Sequence, residues 1–301
     1  MTKRLYFLSL LLLITASANA TAKTLQIVAS IKPVHSLVAG ITHGVVEPGL
    51  LLSSNQSPHH YSLRPSERRM LDEADLIFWI GPTLEGFMPR LLDGLDNKNK
   101  AIALIQSSGL KLLNTRQAGH ADEHDGHDHE HAKIDAHIWL DTNNVDLLID
   151  SITQRIVQAD PEHRLQYETN NQQLHIQVAQ LRKMLQQSLS TIDKLFLTYH
   201  DGYQYFEAEF ALHNAGFVSA SELQPSAQRI GDLKKLIETE KIACVFYDAP
   251  TRPPVLKSLI TNSSVTTFML DPTGMLIPPG KDLWFDSMQA LAEQFINCQH
   301  G

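Results

Sequence analysis

From Pro161 to about Ile192 the chain contains no glycine and no further proline, and Leu174, Val178, Leu181, Leu185, Leu189 and Ile192 recur at spacings of three and four. That rhythm places the apolar side chains on one stripe of an α-helix. Asp160 before Pro161 supplies an N-cap and N1 pair. At 1.5 Å per residue such a helix would run about 48 Å. A small domain has no use for an element of that length, so the pattern predicts a rigid connector, with a long surface helix of the first lobe as the alternative.

What lies on either side supports two lobes. Short apolar runs (Leu25–Ile31, Leu76–Ile80, Lys194–Tyr199, Ala243–Tyr247 and Val265–Leu270) alternate with helical patterns such as Pro65–Ala74 and Ile230–Glu240. Continuous apolar runs interleaved with helices are the mark of parallel sheets covered on both faces. The expected fold is α/β, with a first lobe over residues 21–159, a connecting helix over 160–192 and a second lobe over 193–301.

The first twenty residues stand outside that plan. Lys3 and Arg4 precede an apolar run from Leu5 to Ile14, and Ala18-Asn19-Ala20 provides a small-x-small cleavage pattern. This reads as an export signal cut after Ala20, because the run is too short to span a bilayer comfortably. No cysteine lies near the cut to carry a lipid, so the mature chain is expected free in the periplasm with no stable membrane insertion. Losing the two cations takes the formal charge from −8 to −10. An acidic exported chain is poorly suited to binding nucleic acid or an anionic membrane by charge.

Export also bears on the two cysteines, Cys244 and Cys298. An even pair in an oxidising compartment invites a disulfide. Such a bridge would pin the last helix to the second lobe; two buried free thiols are the alternative.

One stretch departs from globular composition. Residues 119–131, GHADEHDGHDHEH, carry His120, His124, His127, His129 and His131 interleaved with five acids. With no apolar residue larger than alanine, the stretch cannot offset its ordering entropy by burial. A His-rich tract of this kind points to accessory metal contacts.

Three other histidines stand where strands are expected to end: His59 in Ser57-Pro58-His59-His60-Tyr61, His137 in Asp135-Ala136-His137-Ile138-Trp139-Leu140, and His200 in Tyr199-His200-Asp201. In open α/β sheets, ligands gather beyond the carboxyl ends of strands. Singly, each is more often a satisfied surface or core residue than a ligand.

These segments, with Tyr205-Phe206 and Leu270-Asp271-Pro272, resemble the metal-binding proteins that serve zinc and manganese ABC importers, and the resemblance covers essentially the whole mature chain. It implies two lobes joined by one long helix, metal in the cleft between them, and His59, His137 and His200 as ligands. His59 is preferred to His60 because the family's first ligand precedes the residue before the tyrosine. Some zinc members carry an acidic ligand just before this histidine, where this chain has Pro58. The fourth position is then open to water or to Asp271. Manganese relatives carry Glu where His200 stands, and three imidazoles suit Zn²⁺ better than Mn²⁺, which favours more oxygen. Because imidazoles must be deprotonated to bind, capture is expected to weaken below about pH 6.

The expected function is capture of Zn²⁺ by a monomer and delivery to an importer's membrane permease. A periplasmic zinc buffer without a permease shares every feature of that reading. A zinc hydrolase, which also uses three ligands and an open position, would need a general base, and the chain has no HExxH or comparable motif.

Overall fold

The computed structural model describes residues 24–53, 57–59, 61, 63–97, 100–116, 133–219 and 224–301. The expected export signal, His60 and the His-rich stretch 119–131 lie outside these residues. Before the long helix come β1 (Ile27–Ala29), α1 (Lys32–Thr42), β2 (Gly49–Leu50), α2 (Pro65–Glu73), β3 (Leu76–Trp79), α3 (Met88–Asp93), β4 (Ala101–Ala103) and α4 (Thr142–Ala159). The long helix itself is α5 (Arg164–Leu189). After it come β5 (Phe196–His200), α6 (Gln204–Phe210), β6 (Asn214–Ser219), α7 (Ala227–Thr239), β7 (Cys244–Asp248), α8 (Val255–Ile260), β8 (Thr266–Leu270) and α9 (Leu283–His300).

The strands form two four-stranded sheets, ordered β2-β1-β3-β4 and β6-β5-β7-β8, with every pairing parallel. Both sheets follow the same winding: the chain places its second strand on one side of its first, then crosses to the other side for the third and fourth. The reversal leaves a crevice at the carboxyl ends of β1 and β3, and a second at the carboxyl ends of β5 and β7.

The apolar stripe of α5 behaves as its spacing predicts, since Leu174, Val178, Leu181, Leu185 and Leu189 are all buried. The helix carries the chain from one sheet to the other and packs along its length on α4, α1 and α9. It starts later than expected. Residues Pro161–His163 make one 3-10 turn with Asp160 at its N-cap position and Pro161 following, and the Asp160 carboxylate accepts from the Tyr167 hydroxyl at 2.7 Å and pairs with His163 Nδ1 at 2.7 Å. The α-helical part is therefore 26 residues, about 39 Å. Its close approach to α1 depends on Gly40, where a Cβ would stand 2.9 Å from a Leu174 methyl.

One apolar core runs from the first sheet through α1, α4 and α5 to β5, β7 and α9; a smaller one, with Leu197, Leu233, Val245 and Leu256, covers the other face of the second sheet. Cys244 and Cys298 form a disulfide with Cα atoms 5.9 Å apart, tying α9 to β7. Among the described residues, no helix is long and apolar enough to cross a membrane.

Candidate metal centre

Each of the three singled-out histidines is brought to the seam between the sheets by a different local device. After β2 the chain continues the sheet's bonding through Leu51 and Leu52, whose N–H groups donate to Ala29 and Ser30 carbonyls. His59 lies beyond that edge. The segment is returned to α2 by Tyr61, whose hydroxyl donates to Glu67 Oε1 at 2.6 Å, while the Glu67 carboxylate also accepts from Arg64 N.

His137 precedes a 3-10 turn, Ile138–Leu140, which leads into α4. Asp135, two residues earlier and buried, accepts from both His137 N and His137 Nδ1, the latter at 2.7 Å. Donation from Nδ1 fixes the ring and leaves Nε2 as the acceptor nitrogen. Gln204 and Tyr205 steady Asp135 in turn, through its other carboxylate oxygen and its carbonyl. Burial alone would raise the Asp135 carboxyl, but the His137 ring beside it and the hydrogen bonds to it hold it below the ordinary carboxylate range.

His200 is the last residue of β5 and is 5% exposed. Its Nδ1 lies 4.0 Å from Oδ1 of Asp248, the last residue of β7, and that carboxylate also accepts from the Tyr203 hydroxyl. His200 and Asp248 thus flank the crevice where the second sheet reverses its winding. Burial, reinforced by the neighbouring His137, pushes the His200 imidazole down to about 3. Burial thus favours the neutral form of the ring, the form in which an imidazole can act as a ligand.

The three rings meet. Ligand-capable atoms of His59, His137 and His200 lie within 4.8 Å of one another, and ring centroids are 5.0–5.6 Å apart. The approach needs Gly202: a Cβ there would stand 2.8 Å from His200 Cε1 and 3.0 Å from His137 Nε2. The rings open onto a cavity of about 260 Å³, walled by Trp139, Asp248, Asp271, Thr273 and Met275 among others. Asp271 is on that wall, but its carboxylate is engaged within its own turn, accepting from Met275 N at 2.7 Å and Leu276 N at 2.8 Å.

Behind the site, the residues flanking the His-rich stretch are sealed as a short ladder. Thr115 N donates to the Lys133 carbonyl and Asp135 N to that of Leu113, both at 2.8 Å. At its edge Arg116 pairs with Asp201, whose Oδ1 lies 2.9 Å from the guanidinium Nε, and with Glu207 at 2.8 Å. Asp135 and Asp201 adjoin the histidines in the sequence, but nothing in their residue type alone assigns them a part. The i, i+2 spacing of Asp135 and His137 was the available signal. Asp248 offered none, since its relation to His200 arises only from strand pairing.

A family model described as zinc-uptake complex component A, periplasmic (ZnuA), matches residues 27–298. The chain belongs to this family. Among curated relatives, the high-affinity zinc uptake system protein ZnuA of Brucella abortus (strain 2308) is 32% identical over 303 residues, covering 90% of this chain and 91% of its own. Its counterpart in Yersinia pestis is 31% identical, covering 90% of each. These family members carry the names of transport proteins, not of enzymes. A crystal structure of ZnuA aligns with a TM-score of 0.77 at 22% identity, over 92% of this chain and 99% of that one. The substrate-binding protein FpvC from Pseudomonas aeruginosa, in complex with Mn²⁺, aligns at 0.78 and 18%, over 92% and 99%. At such identities these two structures speak for the fold.

Proposed function

We propose that this chain captures Zn²⁺ in the periplasm through His59, His137 and His200 and hands it to the permease of an ABC importer. The observation that carries the reading is the convergence of three imidazoles from both sides of α5 on one cavity. Zinc is supported over manganese by the donor set. Three neutral nitrogens suit a four-coordinate zinc ion, whereas Mn²⁺ favours carboxylate, carbonyl and water. The Asp271 oxygens are already bonded to backbone N–H groups, so water is the proposed fourth ligand. Asp135 raises the basicity of His137 and fixes its orientation, the usual service of a carboxylate behind a metal-bound imidazole. The family's description as a periplasmic zinc-uptake component, and the names of its curated members, agree with capture for uptake. The five histidines of residues 119–131 are proposed as a lower-affinity accessory set.

Competition titrations with a zinc chelator test the assignment. His59→Ala, His137→Ala and His200→Ala should each weaken Zn²⁺ binding by about a thousandfold or more, and the parent should prefer Zn²⁺ to Mn²⁺. Parent-like affinity in all three variants would place the tight site elsewhere. Deleting residues 119–131 should lower the number of ions bound and spare the tightest one. Delivery is tested with the cognate permease in proteoliposomes: zinc-loaded protein should stimulate its ATPase, and no stimulation would favour a periplasmic buffer.

A further inference from the structure

Lys32 sits in a place that local chemistry does not explain. It is the first residue of α1, where the helix macrodipole disfavours a cation, and the first turn has no acid to offset it. It is also 8% exposed, and an ammonium taken out of water is costly unless its donors are used. All three are. Lys32 Nζ donates to the carbonyls of Gly274 at 3.2 Å, Met275 at 2.7 Å and Ile277 at 3.0 Å, in the turn between β8 and α9. An ammonium has three N–H groups and no acceptor, so this cradle saturates it.

That turn is the one whose N–H groups, at Met275 and Leu276, are held by the Asp271 carboxylate. Its carbonyls are held from the first half of the molecule, while its amides are held within the turn itself. Asp271, Pro272, Thr273 and Met275 form a wall of the cavity onto which the three histidines open. The wall follows the second sheet in the chain, yet an N-terminal cation holds it. Trp139 adds to the hold, its indole N–H donating to the Pro272 carbonyl at 2.8 Å.

We propose that Lys32 is a positioning residue of the metal centre, latching the 271–277 turn against the first half so that a captured ion leaves slowly. The inference rests on the metal-capture reading above and concerns release, not ligation. An ion that leaves past this wall requires the turn to swing away, and that breaks three hydrogen bonds to a charged group. Association before the wall is fully seated is not slowed in the same way.

The experiment is stopped-flow release of Zn²⁺ into excess chelator. Lys32→Met keeps the length of the side chain and removes its donors. Release should be about tenfold faster or more, the order expected when a charge-assisted hydrogen-bond set is lost, with the association rate within twofold of the parent. Lys32→Arg, which retains charge and donors, should restore much of the slow release. Thr153→Ala removes a buried hydroxyl that accepts from Asn171 between α4 and α5, away from the cavity wall; it should lower folding stability and leave release at the parent rate. Parent-like release from Lys32→Met, or equal acceleration by Thr153→Ala, overturns the latch while leaving the three-histidine site standing. Failure of the parent to bind zinc, or parent-like binding by the histidine variants, overturns the functional reading instead. Should Lys32→Met fail to accumulate, hydrogen exchange on the unmodified chain decides the matter: amides of residues 274–277 should exchange slowly even in chelator, and fast exchange there overturns the proposal.

Discussion

The two sheets share one winding order and so make the same crevice twice, but they use it in opposite ways. In the second sheet the crevice between β5 and β7 is flanked by His200 and Asp248 and opens onto the cavity. In the first sheet the crevice between β1 and β3 is filled. Glu85, wholly buried, accepts there from the hydroxyl of Ser30 at the end of β1 and from Ile80 N and Gly81 N at the end of β3. Its carboxylate takes the backbone donors that a bound ligand would use in an open α/β site. Topology therefore offers a binding position, and one side chain decides whether it is used.

The contrast can be broken most severely at its covalent tie. The described residues of the first half contain no disulfide, whereas the second sheet is bound to α9 through Cys244 and Cys298, 54 residues apart. Replacing both by alanine should lower unfolding free energy by about 4 kcal/mol on chain-entropy grounds, measured by urea denaturation. Zinc affinity should stay within about threefold; a large loss would show that the crevice depends on that tie.

Next comes the plug. Burial pushes the Glu85 carboxyl up to about 7. A carboxyl whose folded value is raised adds stability that is fully present below its unfolded value, near 4.5, and is lost as pH rises through 7. Glu85→Ala leaves a buried hydroxyl and two amide N–H groups without their acceptor, at a cost of about 3 kcal/mol near pH 5. The parent's advantage should shrink between pH 5 and 8 in paired denaturation curves. An advantage that grows with pH would mean that the carboxylate is stabilised in its charged form.

The smallest of these effects sharpens the open crevice. Gly202→Ala would crowd His200 and His137 by a few tenths of an ångström, and Zn²⁺ affinity should fall about tenfold by calorimetry, an order set by the cost of overpacking. Unchanged affinity would mean that the rings can give way without losing the ion.

How much of this could be read from residues follows from where each side chain finds its partner. β1, β3, β5, β7 and β8 announced themselves as apolar runs; the first four in particular are largely buried on both faces. β2 has two residues, β4 is Ala-Ile-Ala, and β6 contains Asn214 and Gly216, so none makes a comparable run. α1 carries a polar stripe, Lys32, His35, Ser36 and Thr42, at helical spacing, yet that stripe too is buried, so its sequence pattern does not tell that the helix is enclosed on every side. Of the three histidines only His200 ends a strand; His137 stands before a 3-10 turn and His59 nine residues beyond the two-residue β2, and these two were legible only through their match to a known family's segments. Lys32, Glu85 and Asp248 carry no local signature. Lys32 meets carbonyls more than 240 residues away, Asp248 meets His200 across strands, and Glu85, though it caps nearby amides, reaches Ser30 on the neighbouring strand's end; a linear pattern does not encode such pairs.

The sealed ladder at residues 113–116 and 133–135 has a consequence for how this protein can vary. Where two ends of a connection are fastened side by side, each doubling of its length costs only about 0.6 kcal/mol in closure entropy. Arg116 is anchored on Asp201, the residue after His200, and Asp135 on His137, both outside the stretch between them. The count of imidazoles in that segment is thus decoupled from the geometry of the cavity, and selection can adjust the one without rebuilding the other.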